Sequence, residues 1–169
     1  MFSITTDKVT SDDLKAAVDN VRSTRPFEVV RCGSDINLKV EPGYQGINIL
    51  KNSFFFPNVV FDLNVHLQPG DRIILFAQND PVQNGIWSVV SIFAGYVNIQ
   101  RPIDYAYNTP IRPGQFLIVI EGYYLGGAII KNTTPEFDSN QNKINSYNGI
   151  SAQYWTPYAY VNYVTSYTV

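Results

Sequence analysis

The chain is poor in the residues that most often carry chemistry. Of its 169 residues, 1 is cysteine and 1 is histidine. With Cys32 alone, no disulfide forms within the chain, and the framework of a small disulfide-stapled domain is excluded. Cys32 reads as a buried small hydrophobe at the end of "FEVVRC". A zinc site would need several His or Cys ligands, and the sequence offers one of each. Charged residues make up 15%, against about 25% in ordinary globular chains. The net charge is −2 with no block of Lys or Arg, so the electrostatic footprint of a nucleic-acid binder is missing. No apolar run approaches the ~20 residues that span a bilayer. The start, "MFSITTDKVTSDD", has no basic segment followed by an apolar core. Neither a signal peptide nor a membrane partner is expected.

What is there is apolar and aromatic. Hydrophobic residues reach 45%, enough for a sizeable core, and 12 residues are tyrosine. A single domain of this length buries roughly 70% of its unfolded surface. With few charges, the surface must be made of Asn, Gln, Ser, Thr and Tyr. Such surfaces suit packed assemblies and sugar-facing proteins better than free enzymes.

The pattern divides the chain into an arm, residues 1–25, and a β-rich module, residues 26–169. In the arm, Leu14, Ala17, Val18 and Val21 fall at i, i+3, i+4 and i+7, which predicts a short amphipathic helix. Thr10 is placed to cap it, Asp12 and Asp13 oppose the positive end of its dipole, and Pro26 closes the segment. So short a helix must pack on something, either one end of the β-domain or a neighbouring chain. From Pro26 onward, apolar runs such as "FEVVRC", "GINIL", "RIILFA", "GIWSVVSIF", "QFLIVIE" and "YAYVNYVTSY" alternate with Pro- and Gly-containing joints. The expected fold is all-β: an antiparallel β-sandwich or partly open barrel with one short N-terminal helix.

The most informative stretch is "QPGDRIILFAQNDPVQNGIWSVV", residues 68–90. Pro69-Gly70 predicts a turn with Gly70 at positive φ. "RIILFA" carries apolar residues on both faces and reads as an interior strand. Asp80-Pro81 starts a turn. Asn84-Gly85 is a strong hairpin signal, because both residues tolerate positive φ. Asp71 and Arg72 read as a structural pair, with the Arg72 guanidinium anchoring the hairpin through carbonyls or a carboxylate of the long loop.

Gly70-Asp71-Arg72, an apolar strand, Gln78, then Asn84-Gly85-Ile86-Trp87 resembles a β-module found in tail fibres and tail-associated proteins of tailed phages. The likeness extends over roughly residues 27–160, through Arg101, Asp104, "RPGQFLIVIEG", "GGAIIKNTTP" and "QYWTPY". Phe76-Ala77 stands where the family often has Lys-Asp, and Ala128 where a Trp is usual. The resemblance implies a structural role for Gly70, Asp71, Arg72, Gln78, Asn84, Gly85 and Trp87. It also implies a virion setting.

Residue patterns for catalysis are weak. His66 alternates with Val65 and Leu67 on a strand, and no G-x-S-x-G accompanies it. Asp71, Asp80, Asp104, Glu121 and Glu136 each suit a turn or strand end better than a paired-carboxylate site. Asp138, Asn140 and Asn142 alternate as in a calcium loop, but Lys143 stands where such a loop requires Gly and Gly149 where it requires Glu. No catalytic residue, metal site or cofactor is expected.

The aromatic end, with Tyr154, Trp155, Tyr158, Tyr160, Tyr163 and Tyr167, suits a subunit interface, core packing or contact with a sugar. Tyr158 and Tyr160 are expected to face one way along the strand, Tyr163 and Tyr167 the other. Leu14 and Val18 are further candidate contacts. The expected protein is therefore a non-enzymatic structural component of a virion, from a tailed phage or large DNA virus. Its partners would be copies of itself and other virion proteins. The alternatives are a module that binds a host-surface glycan and a capsule-degrading hydrolase.

Overall fold

The structure is a computed structural model that describes residues 27–42 and 53–161. The expected N-terminal helix with Leu14 and Val18, the run "GINIL", and Tyr163 and Tyr167 lie outside the described residues.

The described chain is all-β. Its strands are β1 (Phe27–Val30), β2 (Cys32–Ser34), β3 (Glu41–Pro42), β4 (Ser53–Phe56), β5 (Val60–Phe61), β6 (Val65–His66), β7 (Arg72–Leu75), β8 (Gly85–Phe93), β9 (Tyr96–Gln100), β10 (Phe116–Val119), β11 (Ala128–Asn132) and β12 (Trp155–Tyr160). Helical backbone among the described residues is confined to single 3-10 turns at Pro81–Gln83 and Ile103–Tyr105. One sheet has four strands in the order β1-β10-β11-β12, a second has six in the order β2-β7-β8-β9-β4-β3, and β5 and β6 form a two-stranded ribbon.

The sheets are mixed, which corrects the expectation of purely antiparallel pairing. β1 runs parallel to β10, and β2 parallel to β7. Both parallel pairs come from one run, "FEVVRCGS", which changes sheets at Arg31. There the main-chain N–H donates to the Arg72 carbonyl (2.8 Å), while the carbonyl accepts from the Glu121 N–H (2.8 Å). Arg31 thus completes a hydrogen bond with each sheet, so the corner leaves neither group unpaired.

Strand alternation sorts the apolar side chains into two cores. One contains Val30, Ile74, Ile86, Leu117, Val119, Ala128, Ile130 and Trp155, contributed by both large sheets. The other covers the opposite side of the six-stranded sheet, where Ile73, Leu75, Trp87, Val89, Val97 and Ile99 meet Phe61, Val65 and Leu67 from the ribbon and its exit. Ile73, Ile74 and Leu75 are all buried, so "RIILFA" is apolar on both faces because both faces of β7 are covered. Each such side chain contributes about 1.5–3 kcal/mol by leaving water.

Two hairpins depart from expectation. Asn84 has φ −67 and Gly85 φ 120, so the pair is not a two-residue turn. The connection from β7 to β8 is instead the longer loop 76–84, containing the 3-10 turn that Asp80 caps by accepting from the Val82 N–H (3.1 Å). The tight two-residue turn is Ala94 (φ 50) and Gly95 (φ 81), closed by the Phe93–Tyr96 pair. β4 was hidden because "SFFF" lacks alternation, and β3 because "EP" reads as a turn.

Cys32 is fully buried, and desolvation pushes its thiol from 9.0 up to about 12. The native thiol therefore holds its proton more tightly than the unfolded one. Its contribution to stability is complete below about pH 9 and is lost as pH rises toward about 12. In native protein at pH 8, alkylation of Cys32 by iodoacetamide, followed by mass spectrometry, should be at least a hundredfold slower than in urea. Equal rates would show an open core.

Candidate functional site

Gln78, Asn84, Gly85 and Trp87 of the resemblance converge at the loop between β7 and β8, chiefly by binding backbone, whereas Gly70, Asp71 and Arg72 lie at the other end of β7. Gln78 is buried and behaves like a strand partner for Leu38. Its amide oxygen accepts from the Leu38 N–H (2.8 Å) and its Nε2 donates to the Leu38 carbonyl (2.8 Å). Asn84 is also buried; its Oδ1 accepts from the Gln78 N–H (3.0 Å) and its Nδ2 donates to the Gln153 carbonyl (2.9 Å). Trp87 donates its indole N–H to the Gln83 carbonyl (2.9 Å). These bonds answer the rule that a buried loop must satisfy its polar atoms internally.

Arg101 completes the site. It is 5% exposed, and its guanidinium carbon lies 3.9 Å from the centre of the Trp87 ring. Nη2 donates to the carbonyls of Val82 (3.0 Å) and Asn84 (2.9 Å), and Nη1 to that of Ile86 (3.4 Å). Burial pulls its pKa from 12.5 down to about 9, which leaves it charged at neutral pH. Carbonyl dipoles and the ring face stabilise that charge. Nε alone finds no hydrogen-bond partner among the described residues. Gly85 is required beside it: a Cβ there would lie 2.5 Å from Arg101 Nη1 and 2.9 Å from the Gln153 amide.

Gln153 carries the network to the other sheet. Its Nε2 donates to Asn148 Oδ1 (2.9 Å), and its Oε1 accepts from the Trp155 indole (2.7 Å). Trp155, a candidate interface residue by sequence, is 4% exposed and sits in the shared core. Its indole N–H has a partner next door, so this aromatic packs inward.

Asp71 and Arg72 do not pair with each other. Neighbours on a strand point to opposite faces, and each finds its own partner. Asp71 pairs with Arg31 (2.6 Å), and Arg72 pairs with Glu28 (3.1 Å) and Asp104. Arg31 also reaches Glu121 (3.1 Å) and the His66 carbonyl (2.8 Å). Hydrogen bonds to Asp71 and Glu121 raise the Arg31 pKa against a smaller opposing effect of desolvation. The two arginines brace the corner where the chain changes sheets. Of the two kinds of partner expected for Arg72, it takes the carboxylate, Asp104, while the guanidinium that binds loop carbonyls is Arg101. The roles of Arg31 and Gln153 were invisible in sequence, because their partners are distant in the chain.

The remaining candidates spread apart. His66 is exposed on β6. Asp138 Oδ1 accepts from the N–H groups of Asn140 (2.8 Å) and Asn142 (2.9 Å), closing its own polar turn. Among the described residues no three His, Cys, Asp or Glu side chains group as metal ligands. A cleft of about 470 Å³ lies between Gly33, Ile36, Val60, Leu63 and Tyr124, with Asp35 and Asp62 on its wall. Asp62 is committed, accepting from the N–H groups of Tyr124 (3.1 Å) and Leu125 (2.7 Å). Tyr154, Tyr158 and Tyr160 are exposed. A bulge between Ile129 and Ile130 places Tyr160 opposite Ala128 and leaves Tyr158 against Phe116, ring centres 5.2 Å apart. The two tyrosines therefore diverge rather than sharing a face.

No protein-family model, curated protein or solved structure matches the chain.

Gly85→Ala should cost about 3 kcal/mol or more, because the backbone is at positive φ and the new Cβ meets Arg101. Gly70→Ala, with φ 93 and open space around it, should cost only about 1 kcal/mol. Thermal melting that ranks the two equally would contradict the packing around Arg101. Arg72→Ala should lower the melting temperature by several degrees through two part-buried ion pairs, about 1–2 kcal/mol; an unchanged melting temperature would remove the corner brace.

Proposed function

We propose that the chain is a non-enzymatic structural subunit of a virion, from a tailed phage or a large DNA virus, built as a β-sandwich joined at one corner. The observation that carries the non-enzymatic reading is the use of the most distinctive polar residues. Gln78, Asn84, Arg101 and Gln153 are buried and spend their hydrogen bonds on fixing loops and strand ends. Side chains used this way give a rigid block, not a reaction centre. The sandwich reading is supported by the core shared between the four- and six-stranded sheets and by the strand that bends from one into the other.

The virion setting is supported by the likeness of Gly70-Asp71-Arg72…Asn84-Gly85-Ile86-Trp87 to the phage module. Assembly with copies of itself or other virion proteins is supported by exposed Tyr154, Tyr158 and Tyr160 and by Phe93 (76% exposed) and Ile103 (93% exposed). Aromatic surface with few charges is the composition of an interface centre.

A second reading, binding of a host-surface glycan, is favoured by one feature. Tyr123 and Tyr124 are exposed and edge-to-face, ring centres 4.8 Å apart, and Tyr124 lines the 470 Å³ cleft.

Light scattering on the purified protein should give an oligomer, or a stable complex with another virion protein, and labelled antibody should find the chain in purified particles. A strict monomer absent from particles would overturn the proposal. Glycan-array binding lost in Tyr124→Ala would favour the second reading.

A further inference from the structure

Unspent charges of opposite sign lie beyond the two ends of β10. Before the strand, residues 112–115 form a tight turn: Gly114 takes φ 85 after Pro113, and the Gln115 N–H donates to the Arg112 carbonyl (3.2 Å). The Gly114 N–H donates to the Asn132 carbonyl of β11 (2.9 Å) and the Ile111 N–H to that of Ser146 (2.9 Å), so the turn is held at both sides. Its exposed side chain is Arg112, which makes no ion pair among the described residues. Lys143 and Glu136 line the hollow beside Pro113 and offset each other, which leaves Arg112 as the charge the turn presents.

Beyond the other end of β10 lies the cleft of about 470 Å³. Asp35 and Asp62 line it, and no described Lys or Arg does. Asp62 is held by the N–H groups of Tyr124 and Leu125, but exposed Asp35 has no side-chain partner among the described residues. The rim is apolar: Ile36 is 62% exposed and Leu63 70%, with Tyr124 beside them. Asp62 (φ 48) and Leu63 (φ 69) both take the left-handed backbone that side chains resist, so the turn that shows Leu63 to water is kept against its own preference.

We propose that the Arg112 turn of one copy docks in this cleft of the next. The inference rests on the subunit reading and names its contact surface. Charge complementarity carries it. An entering guanidinium meets the Asp35 carboxylate, lays its plane on the Tyr124 ring and packs its stem along Ile36 and Leu63. The area is also adequate: Ile36, Val60, Leu63, Tyr123 and Tyr124 together expose roughly 600 Å², close to the ~800 Å² per partner of a standard interface. β10 separates turn from cleft by roughly 13 Å, beyond the reach of one side chain, so the contact joins two copies. Because two different patches meet, each copy keeps a free turn or cleft for the next, and the contact repeats into a ring or filament.

Size-exclusion chromatography with light scattering on the full chain tests this. Arg112→Glu and Asp35→Arg should each weaken self-association about tenfold or more, with the melting temperature unchanged because both side chains are exposed. The double variant, which exchanges the two charges, should restore association. An oligomer that ignores Arg112→Glu, or a double variant no better than the single ones, would overturn this contact and leave the subunit reading standing. A wild-type monomer would also overturn the contact; only its absence from particles as well would remove the subunit reading.

Discussion

The structure depends on making a long polar loop acceptable inside an apolar module. The loop 76–84 connects two central strands whose faces are both covered, so its donors and acceptors cannot all turn to water. Arg101 answers two of its carbonyls and that of Ile86 in β8, and Asn84 answers one amide inside the loop and one carbonyl outside it. Because Gln78 reaches back to Leu38 and Asn84 reaches forward to Gln153, the loop fastens the segment after β2 to the segment before β12. A half-satisfied network of this kind would be worse than an apolar core. Its members therefore stand or fall together, and Gly85 is the point where backbone must make room for the guanidinium.

The corner at Arg31 is the second organising feature. A single extended run serves as an edge strand in each of two sheets, which closes one side of the molecule without a turn. The flanking guanidiniums of Arg31 and Arg72 meet Asp71, Glu121, Glu28 and Asp104. With so few charges in the chain, concentrating them here is a structural use of charge. Exposed Glu121 contributes little, while Asp71 and Asp104, at 15% side-chain exposure, contribute more.

Much of this was legible in local sequence. The β-rich character, the turn at Gly70, the doubly apolar strand at Ile73–Leu75 and the long strand opening at Gly85 all followed from residue type and alternation. What failed did so for identifiable reasons. Asn84-Gly85 carries a hairpin signal, but Asn84 is needed as a buried hydrogen-bond partner and so stays at negative φ. Ala94 takes the positive φ that sequence reasoning reserves for Asn or Gly. For the aromatic end the sequence left interface, core and sugar contact open, and at Trp155 it is the shared core that takes the side chain. The pairing of Asp71 and Arg72 was inferred from adjacency, when alternation sends them apart. Parallel pairing and the sheet change at Arg31 depend on partners far along the chain, and local pattern carries no such information.

The parallel strand at Phe27–Val30 also sets a timetable. Its ladder partner begins at Phe116, and Arg31 bonds Glu121 across a separation of 90 residues. At roughly 5–20 residues per second of synthesis, that edge waits several seconds for its neighbour. During the wait, "FEVVRC" is an unpaired apolar strand on the ribosome, the kind of segment that recruits chaperones or pairs with the wrong chain.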